Sequence, residues 1–171
     1  MTPNKKEREM KTLNIVYYSH LGNTGKFVRN HLVPAITDDE HLPKRAIVSH
    51  QITATGPHQP AIQEPMYSPR YGEDNEFLLV FPCYGRTNPQ TRALEEMVPL
   101  PMRGFIKKVE DQGLGRILGG VICGNRTFGP DFGNVKGQFD YPVLHKVELA
   151  GSRTDAEEVI SKLHHPSLAF H

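Results

Sequence analysis

The sequence predicts an α/β fold in three layers, with a five-stranded parallel sheet covered by helices on both faces. Short runs rich in β-branched and aromatic residues alternate along the chain with segments of helical spacing, which is the order typical of parallel sheets. Right-handed crossovers then favour a doubly wound arrangement. The chain has 171 residues, of which 37% are hydrophobic and 23% charged. This is enough to bury one core, so we expect a single domain.

The elements follow one another in a regular order. The predicted strands cover 13–18, 45–52, 76–81, 116–123 and 142–149. The predicted helices cover 24–33, a segment beginning near Pro89, 102–111, a poor helix over 131–139 and 154–163. We expect Pro34 to end the first helix, and Pro99 and Pro101 to interrupt the second. Thr154, followed three residues later by Glu157, predicts a capping box at the start of the last helix.

Three segments lie outside this regular pattern. Residues 1–12 are predicted to be a solvated N-terminal arm, and 164–171 a C-terminal tail. Residues 53–75 contain several prolines and glycines without a usable period, which predicts a loop-rich insertion in a domain that otherwise covers 13–163.

Composition excludes several classes of function. The formal net charge of +1 argues against a dedicated nucleic-acid binder. No apolar run reaches the roughly 20 residues that span a bilayer, and the N-terminus lacks the apolar core of a signal peptide, so we expect a cytoplasmic protein. Cys83 and Cys123 form no CxxC motif and are expected to be reduced. The nine histidines lack metal-ligand spacing, so no metal site is predicted.

Polar, glycine-containing turns follow three of the predicted strands. They are SHLGNT over 19–24, CYGRTN over 83–88 and GNRTFG over 124–129. In a doubly wound sheet, ligands bind outside the carboxyl ends of the strands, at the point where the strand order reverses. These three turns are therefore the candidate ligand-binding loops.

The first turn has the chemistry of a phosphate monoester site. Ser19, Asn23 and Thr24 can donate hydrogen bonds, Gly22 allows a close backbone approach, and the following helix offers unpaired N–H groups. The chain has neither the GxxxxGK[ST] motif of a triphosphate loop nor the GxGxxG motif of a dinucleotide site. The alternative interpretation is a helix cap and a tight turn without a ligand.

The other two turns carry aromatic residues beside glycines. Tyr84 precedes Gly85, and Phe128 precedes Gly129. An aromatic ring on such a loop could stack on a planar ligand, while exposed backbone groups contact the polar edge of that ligand. The alternative is that both rings only pack against the sheet.

These segments resemble a known family. SHLGNT is similar to the phosphate loop of flavodoxins, in which the ligand also binds where the strand order reverses. GGVICGNRTFGPDFG together with YPVLHKVELAGSRTDAEEV resembles NrdI, the flavodoxin-like partner of class Ib ribonucleotide reductase. The resemblance covers 13–163 and implies a flavodoxin-like sandwich with strand order 2-1-3-4-5.

The resemblance also implies a function. NrdI proteins bind FMN without a covalent bond, and their reduced form passes electrons to O₂. The resulting superoxide oxidises the metal centre of the reductase small subunit, which is of the dimanganese or diiron type, and so generates a tyrosyl radical. The implied partners are that subunit, O₂ and an unidentified electron donor, with no nucleic acid and no membrane.

The resemblance assigns cofactor contacts to three groups of residues. The first group would hold the FMN phosphate: Ser19, Gly22, Asn23 and Thr24, with His20 and Leu21 completing the loop. The second would approach the reactive edge of the flavin: Cys83, Tyr84 and Gly85. The third would frame the pyrimidine side and the ring face: Asn125, Arg126, Thr127, Phe128 and Gly129. The second loop departs from the family because CYGRTNPQ has one glycine instead of a glycine-rich run.

Two other functions compete with this hypothesis. The first is a general electron-carrier flavodoxin without a reductase partner, although such proteins are strongly acidic and this chain is nearly neutral. With less like-charge repulsion, and with Arg86 and Arg126 in the loops, an anionic reduced flavin should form more easily. The second is a phosphate-binding or interaction module without flavin.

Overall fold

A computed structural model describes residues 12–42, 45–63, 75–83, 86–87, 89–92, 94–95, 97–124, 135 and 137–164. The strands in this part of the chain are β1 Thr12–Tyr18, β2 Ile47–Ala54, β3 Ala61–Gln63, β4 Asn75–Pro82, β5 Arg86–Thr87, β6 Leu94–Glu95, β7 Arg116–Gly124 and β8 Val143–Glu148. The helices are α1 Asn23–Phe27, a π-helical turn Val28–Leu32, α2 Val33–Asp38, α3 Leu100–Gln112 and α4 Arg153–His164.

Six of the strands form the central sheet, in the order β3-β2-β1-β4-β7-β8. The neighbouring pairs from β2 to β8 are parallel, while β3 pairs with β2 in the antiparallel direction. The five parallel strands are β1, β2, β4, β7 and β8. Numbered one to five along the chain, they have the order 2-1-3-4-5 in the sheet, as predicted. The sixth strand, β3, was not predicted and extends the sheet beside β2.

Helices cover both faces of this sheet, which confirms the predicted three-layer sandwich. On one face, α1, the π-helical turn, α2 and α4 pack against alternate residues of the strands, such as Ile15, Val80 and Val147. On the other face, α3 packs against Val16, Leu79 and their neighbours. Side chains in strands point alternately to the two faces, and both faces of β1 and β4 are apolar because both are buried.

The prediction that Pro34 ends the first helix is wrong. α1, the π-helical turn and α2 follow one another without a break from Asn23 to Asp38. Proline normally breaks an α-helix because it cannot donate to the carbonyl four residues earlier and its ring crowds that carbonyl. Directly before Pro34, however, the Val33 N–H bonds to the carbonyl of Val28, five residues back. This wider turn accommodates the proline near the start of α2.

The helix predicted to begin near Pro89 is also wrong. Arg86–Thr87 and Leu94–Glu95 pair as a two-stranded antiparallel ribbon, with a turn between them. The helix begins later, at Leu100, with Pro99 as its N-cap residue and Pro101 in its first turn. Proline is tolerated there because the first N–H groups of a helix have no partner within it. Pro99 and Pro101 therefore start α3 and do not interrupt it.

Several other predictions can be compared with the described residues. The second strand lies two residues later than predicted, at Ile47–Ala54, and β3 falls within the supposed insertion 53–75, of which 64–74 lie outside the described residues. Of the helix predicted over 131–139, only 135 and 137–139 are described, and 137–138 form a turn. Residues 1–11 of the N-terminal arm and 165–171 of the tail lie outside the described part.

The cap of the last helix involves different residues from those predicted. The N–H of Asp155 donates to Ser152 Oγ at 3.3 Å, and Ser152 Oγ donates to Asp155 Oδ2 at 3.1 Å. Ser152 is therefore the N-cap residue of α4, and Asp155 is its partner three residues later. Thr154 and Glu157, the predicted pair, are exposed.

Replacing Ser152 by Ala should lower the free energy of unfolding by about 1 kcal/mol, because the cap of α4 is lost. The matched change Thr154→Ala should alter it by less than about 0.5 kcal/mol, since Thr154 is exposed and alanine is a better helix former. Urea unfolding followed by circular dichroism measures both. Equal losses of unfolding free energy in the two variants would mean that Thr154 contributes to the cap as much as Ser152 does.

Candidate functional site

The carboxyl ends of β1, β4 and β7 lie side by side at one edge of the sheet. Tyr17 of β1 is in register with Val80 of β4, and Pro82 of β4 with Cys123 of β7. The Cys83 N–H continues this pairing by donating to the Cys123 carbonyl at 2.8 Å. The turn after β1 and the segments that follow Cys83 and Gly124 therefore start from neighbouring positions, at the reversal point of the strand order.

The turn between β1 and α1 is built around a glycine in the left-handed conformation. Gly22 has φ 95° and ψ −18°, and its carbonyl accepts the N–H of Lys26 at 2.9 Å as the helix begins. A residue with a Cβ would be strained at this φ, although no atom outside its chain neighbours lies within 4 Å of where that Cβ would be. Backbone conformation, and not crowding, therefore favours glycine here.

Ser19 stabilises the first turn of α1 from the end of β1. Its Oγ accepts the Gly25 N–H at 3.1 Å, while Gly22, at the N-cap position, has no side chain to do so. Because Ser19 accepts in this bond, its hydroxyl hydrogen can still be donated to a ligand. The arrangement is a helix cap, and it also leaves a donor at the mouth of the turn.

Thr24 points inward, towards β7. Thr24 is 3% exposed, and Cys123 is 2% exposed. The pKa of the Cys123 thiol is raised to about 12, chiefly by burial and also by the charge of Asp155, while a hydrogen bond from the Thr24 side chain acts in the opposite direction. The thiol is therefore neutral at physiological pH. Asn23 is half-buried, whereas His20 is exposed and Leu21 is 74% exposed.

A polar cluster beside this turn was not singled out by sequence reasoning. His145 Nε2 lies 2.8 Å from Asp155 Oδ1, and Ser152 donates to the other oxygen of the same carboxylate. The cluster joins β8 to the N-terminus of α4, on the same side of the sheet as Cys123. The signal that could have found it is a serine three residues before an aspartate, directly after the last strand.

The remaining predicted contacts are only partly described. Cys83 is half-buried and packs on the α3 face of the sheet, opposite to Cys123. Arg86 begins β5 and is paired with Glu95. The rest lie outside the described residues: Tyr84, Gly85, Asn125, Arg126, Thr127, Phe128 and Gly129.

The described part of the turn fits a phosphate group. The first turn of α1 contains no acidic residue, and Lys26 is a basic residue in its last turn. The N–H groups that begin a helix carry a partial positive charge, which favours an anion. These N–H groups, Gly22 and the Ser19 hydroxyl together form a set of hydrogen-bond donors, and α1 contributes no carboxylate beside them. Hence the residues present suit a ligand that ends in phosphate.

The described residues also form a groove outside this turn. The groove lies between α2 and α4 and is lined by Asp39, His41, Glu157 and His164 among others, and its described lining residues do not belong to the three loops. Desolvation raises the pKa of Asp39, but hydrogen bonds from the N–H groups of Leu42 and His41 and from His164 outweigh it, so that this pKa is below its ordinary value. In the described residues, no three His, Cys, Asp or Glu side chains converge as metal ligands.

No helix within the described ranges is both long enough and apolar enough to cross a bilayer.

Comparison with known proteins gives consistent results. The family model described as NrdI Flavodoxin like matches residues 15–161. A protein named Protein NrdI from Chromohalobacter salexigens is 29% identical over 151 residues, which are 85% of this chain and 90% of that protein. A solved short-chain flavodoxin associated with a non-canonical PDU bacterial microcompartment shares the fold, with a TM-score of 0.50 and 15% identity over 89% of this chain and 93% of that one. The chain belongs to the NrdI flavodoxin-like family.

Proposed function

We propose that the protein binds FMN and activates the metal-radical centre of a class Ib ribonucleotide reductase small subunit by reducing O₂ to superoxide. The observation that carries the proposal is the donor-lined turn from Ser19 to Gly25, at the reversal point of the sheet, in a chain of the NrdI flavodoxin-like family. Family membership supports a flavin cofactor. The turn supports a flavin whose side chain ends in a phosphate monoester.

In this proposal the protein binds and orients the cofactor, and the flavin supplies the electron chemistry. The N–H groups at the start of α1, the Ser19 hydroxyl and the Asn23 amide would hold the phosphate. Gly22 would let the backbone approach it closely. The loops that begin at Cys83 and Asn125 would contact the ring, since the first starts from β4, which pairs with β1, and the second from β7, which pairs with β4.

Charge favours the reductase role over that of a general electron carrier. A strongly acidic carrier repels an anionic reduced flavin, whereas this chain has a formal net charge of +1. The weaker repulsion should make the second electron available at a moderate potential, which suits reduction of O₂. The electron-carrier alternative instead requires an acidic docking face and a very low second potential.

The purified protein should be yellow, and heat should release one FMN per chain. FAD is not expected, because the turn offers one phosphate cradle and the sequence has no GxGxxG motif for a pyrophosphate. Chromatography of the released flavin identifies it. After anaerobic reduction, mixing with O₂ should give superoxide, measured as reduction of cytochrome c that superoxide dismutase suppresses.

Each step of this test can contradict a different part of the proposal. Release of FAD would refute the phosphate assignment, and a colourless protein that fails to take up added FMN would refute the cofactor. A reduced holoprotein that consumes O₂ without superoxide would favour the electron-carrier alternative.

A further inference from the structure

We propose that Leu149 anchors the protein partner: its exposed side chain inserts into an apolar socket of the ribonucleotide reductase small subunit, beside the flavin site. The inference rests on the proposed function and deepens it, because it names a residue of the surface that the small subunit would cover. It requires no contact between Leu149 and the flavin.

The first argument is the exposure of an apolar side chain. Within the described residues, four large hydrophobic side chains are exposed: Leu21, Val48, Ile62 and Leu149. Leu149 is 47% exposed, although it directly follows the last strand of the sheet. A single exposed leucine is common in soluble proteins and by itself indicates nothing. The backbone conformation of Leu149 distinguishes it from the other three.

The second argument is this backbone conformation. The Gly151 N–H donates to the Glu148 carbonyl at 2.9 Å, which closes a tight turn with Leu149 in its second position. Leu149 has φ 53°, in the left-handed region. Turns with a positive φ at this position are dominated by Gly, Asn and Asp, because the Cβ of a bulky residue crowds the backbone there. Strained residues of this kind concentrate at functional sites, which favours a role in binding over one in folding.

The third argument is the position of Leu149 at the carboxyl edge of the sheet. Glu148 is in register with Gly124 of β7, and the Leu149 N–H donates to the Gly124 carbonyl at 2.9 Å. Gly124 is the first residue of the third candidate loop, so Leu149 lies beside the start of that loop. Strands are spaced about 4.8 Å apart, which places the end of β8 roughly 14 Å from the end of β1.

The proposed function decides what covers this edge. Superoxide formed at the flavin must reach the metal centre before it reacts with itself in water. The small subunit therefore has to cover the carboxyl edge, where the flavin is proposed to lie. An interface of about 800 Å² per partner is roughly 30 Å across, which exceeds the distance from β1 to β8. Leu149 then lies inside the covered area, where an apolar side chain gains free energy by leaving water.

The test measures binding of the FMN-loaded protein to a manganese-loaded class Ib small subunit by isothermal titration calorimetry. With Leu149→Asn, the Kd for the subunit should rise about tenfold, because half of a leucine side chain no longer leaves water and an amide is buried instead. This loss should be the same at low and high salt, unlike the loss of a charged contact. The Kd for FMN should change less than about twofold and the Tm by less than about 4 °C, since asparagine adopts a positive φ more readily than leucine.

Two further variants separate apolar contact from other effects. Leu149→Met keeps an apolar side chain of similar volume on the same backbone, and should bind the subunit within about twofold of the unaltered protein. Val48→Asn replaces another exposed apolar side chain by the same amide. Val48 lies near the start of β2, in register with Asn14, at the opposite edge of the sheet, so its replacement should leave the Kd for the subunit unchanged.

A normal Kd for the subunit in Leu149→Asn, or an equal loss in Leu149→Met or in Val48→Asn, would overturn this inference alone. An FMN Kd that rises as much as the subunit Kd would also overturn it, because Leu149 would then serve the flavin. Sedimentation of the isolated protein tests whether a second copy occupies the surface, and a dimer that Leu149→Asn dissociates would overturn the inference. An unaltered FMN-loaded protein that does not bind the subunit would refute the proposed partner, and this inference with it.

Discussion

A manganese-loaded class Ib small subunit is expected to gain its tyrosyl radical when the reduced protein and O₂ are added, and to remain at background when the protein is omitted. The reason is that this protein is proposed to deliver the oxidant of the metal centre, superoxide, by reducing O₂. Electron paramagnetic resonance measures the radical. Equal radical in the absence of the protein would remove the activation role.

The docking face can be tested with a charge reversal in the same assay. Arg86 starts the β5 strand, three residues after Cys83, at the edge where the three loops start. If it meets acidic groups of the subunit, Arg86→Glu should lower the radical yield about tenfold or more at limiting concentration and leave FMN affinity unchanged, with an effect that weakens at high salt. Electron paramagnetic resonance at several protein concentrations measures it.

Lys107→Glu is the control with the same change of charge. Lys107 lies on the solvent side of α3, where it pairs with Asp111 at 3.5 Å, and should not affect activation. If both variants lose yield equally, the loss reflects net charge. If neither does, the face is misassigned.

The second large effect is expected from Gly151→Ala. Gly151 has φ 64°, and an added Cβ would lie 2.6 Å from both Phe27 Cδ1 and Val147 Cγ1, which are fully buried. Overpacking and the left-handed conformation together should cost roughly 2–4 kcal/mol of folding stability. Because Phe27 ends α1, the start of that helix should also move and FMN affinity should fall. Urea unfolding and flavin titration measure the two effects.

Gly137→Ala separates backbone strain from crowding. Gly137 also has a positive φ, 83°, but no atom lies within 4 Å of its added Cβ. This variant should lose only about 1 kcal/mol, and its FMN affinity should be normal. Similar losses of stability in the two variants would mean that crowding of the added Cβ at position 151 against Phe27 contributes nothing.

Much of the fold could be predicted because its strands are short, buried and apolar. LNIVYY and EFLLVF carry β-branched and aromatic residues on both faces, which is the pattern of central parallel strands. Doubly wound connection rules and the family resemblance then gave the strand order. The polar turn after β1 was predictable as well, because Ser, Gly, Asn and Thr follow a buried strand directly.

The errors share a different cause. Leu94 fits a helical spacing, yet it pairs with Thr87 in the β5–β6 ribbon. Tertiary contacts, and not the local spacing, decide this pairing. Pro34 predicts a helix end from local sequence, but the π-helical turn before it removes the conflict. Short segments of this kind have weak local preferences, so that their surroundings decide their structure.

The candidate site, like the fold, could be predicted only in part from the sequence. The donors of the 19–24 turn are visible in sequence because they are contiguous. The burial of the Thr24 side chain is not, since it depends on how α1 docks against the sheet. Nor is the pairing of His145 with Asp155, which requires β8 and α4 to be placed side by side.

The placement of Cys83 and Cys123 on opposite faces of the sheet has a consequence for oxidative damage. Although their backbones are hydrogen-bonded, their side chains diverge, so an intramolecular disulfide cannot form without breaking the sheet. Superoxide, the proposed product of this protein, therefore cannot cross-link Cys83 and Cys123 within one chain. Oxidation would begin at the half-buried Cys83 as a sulfenic acid, which cellular thiols can reverse, while the buried Cys123 stays reduced.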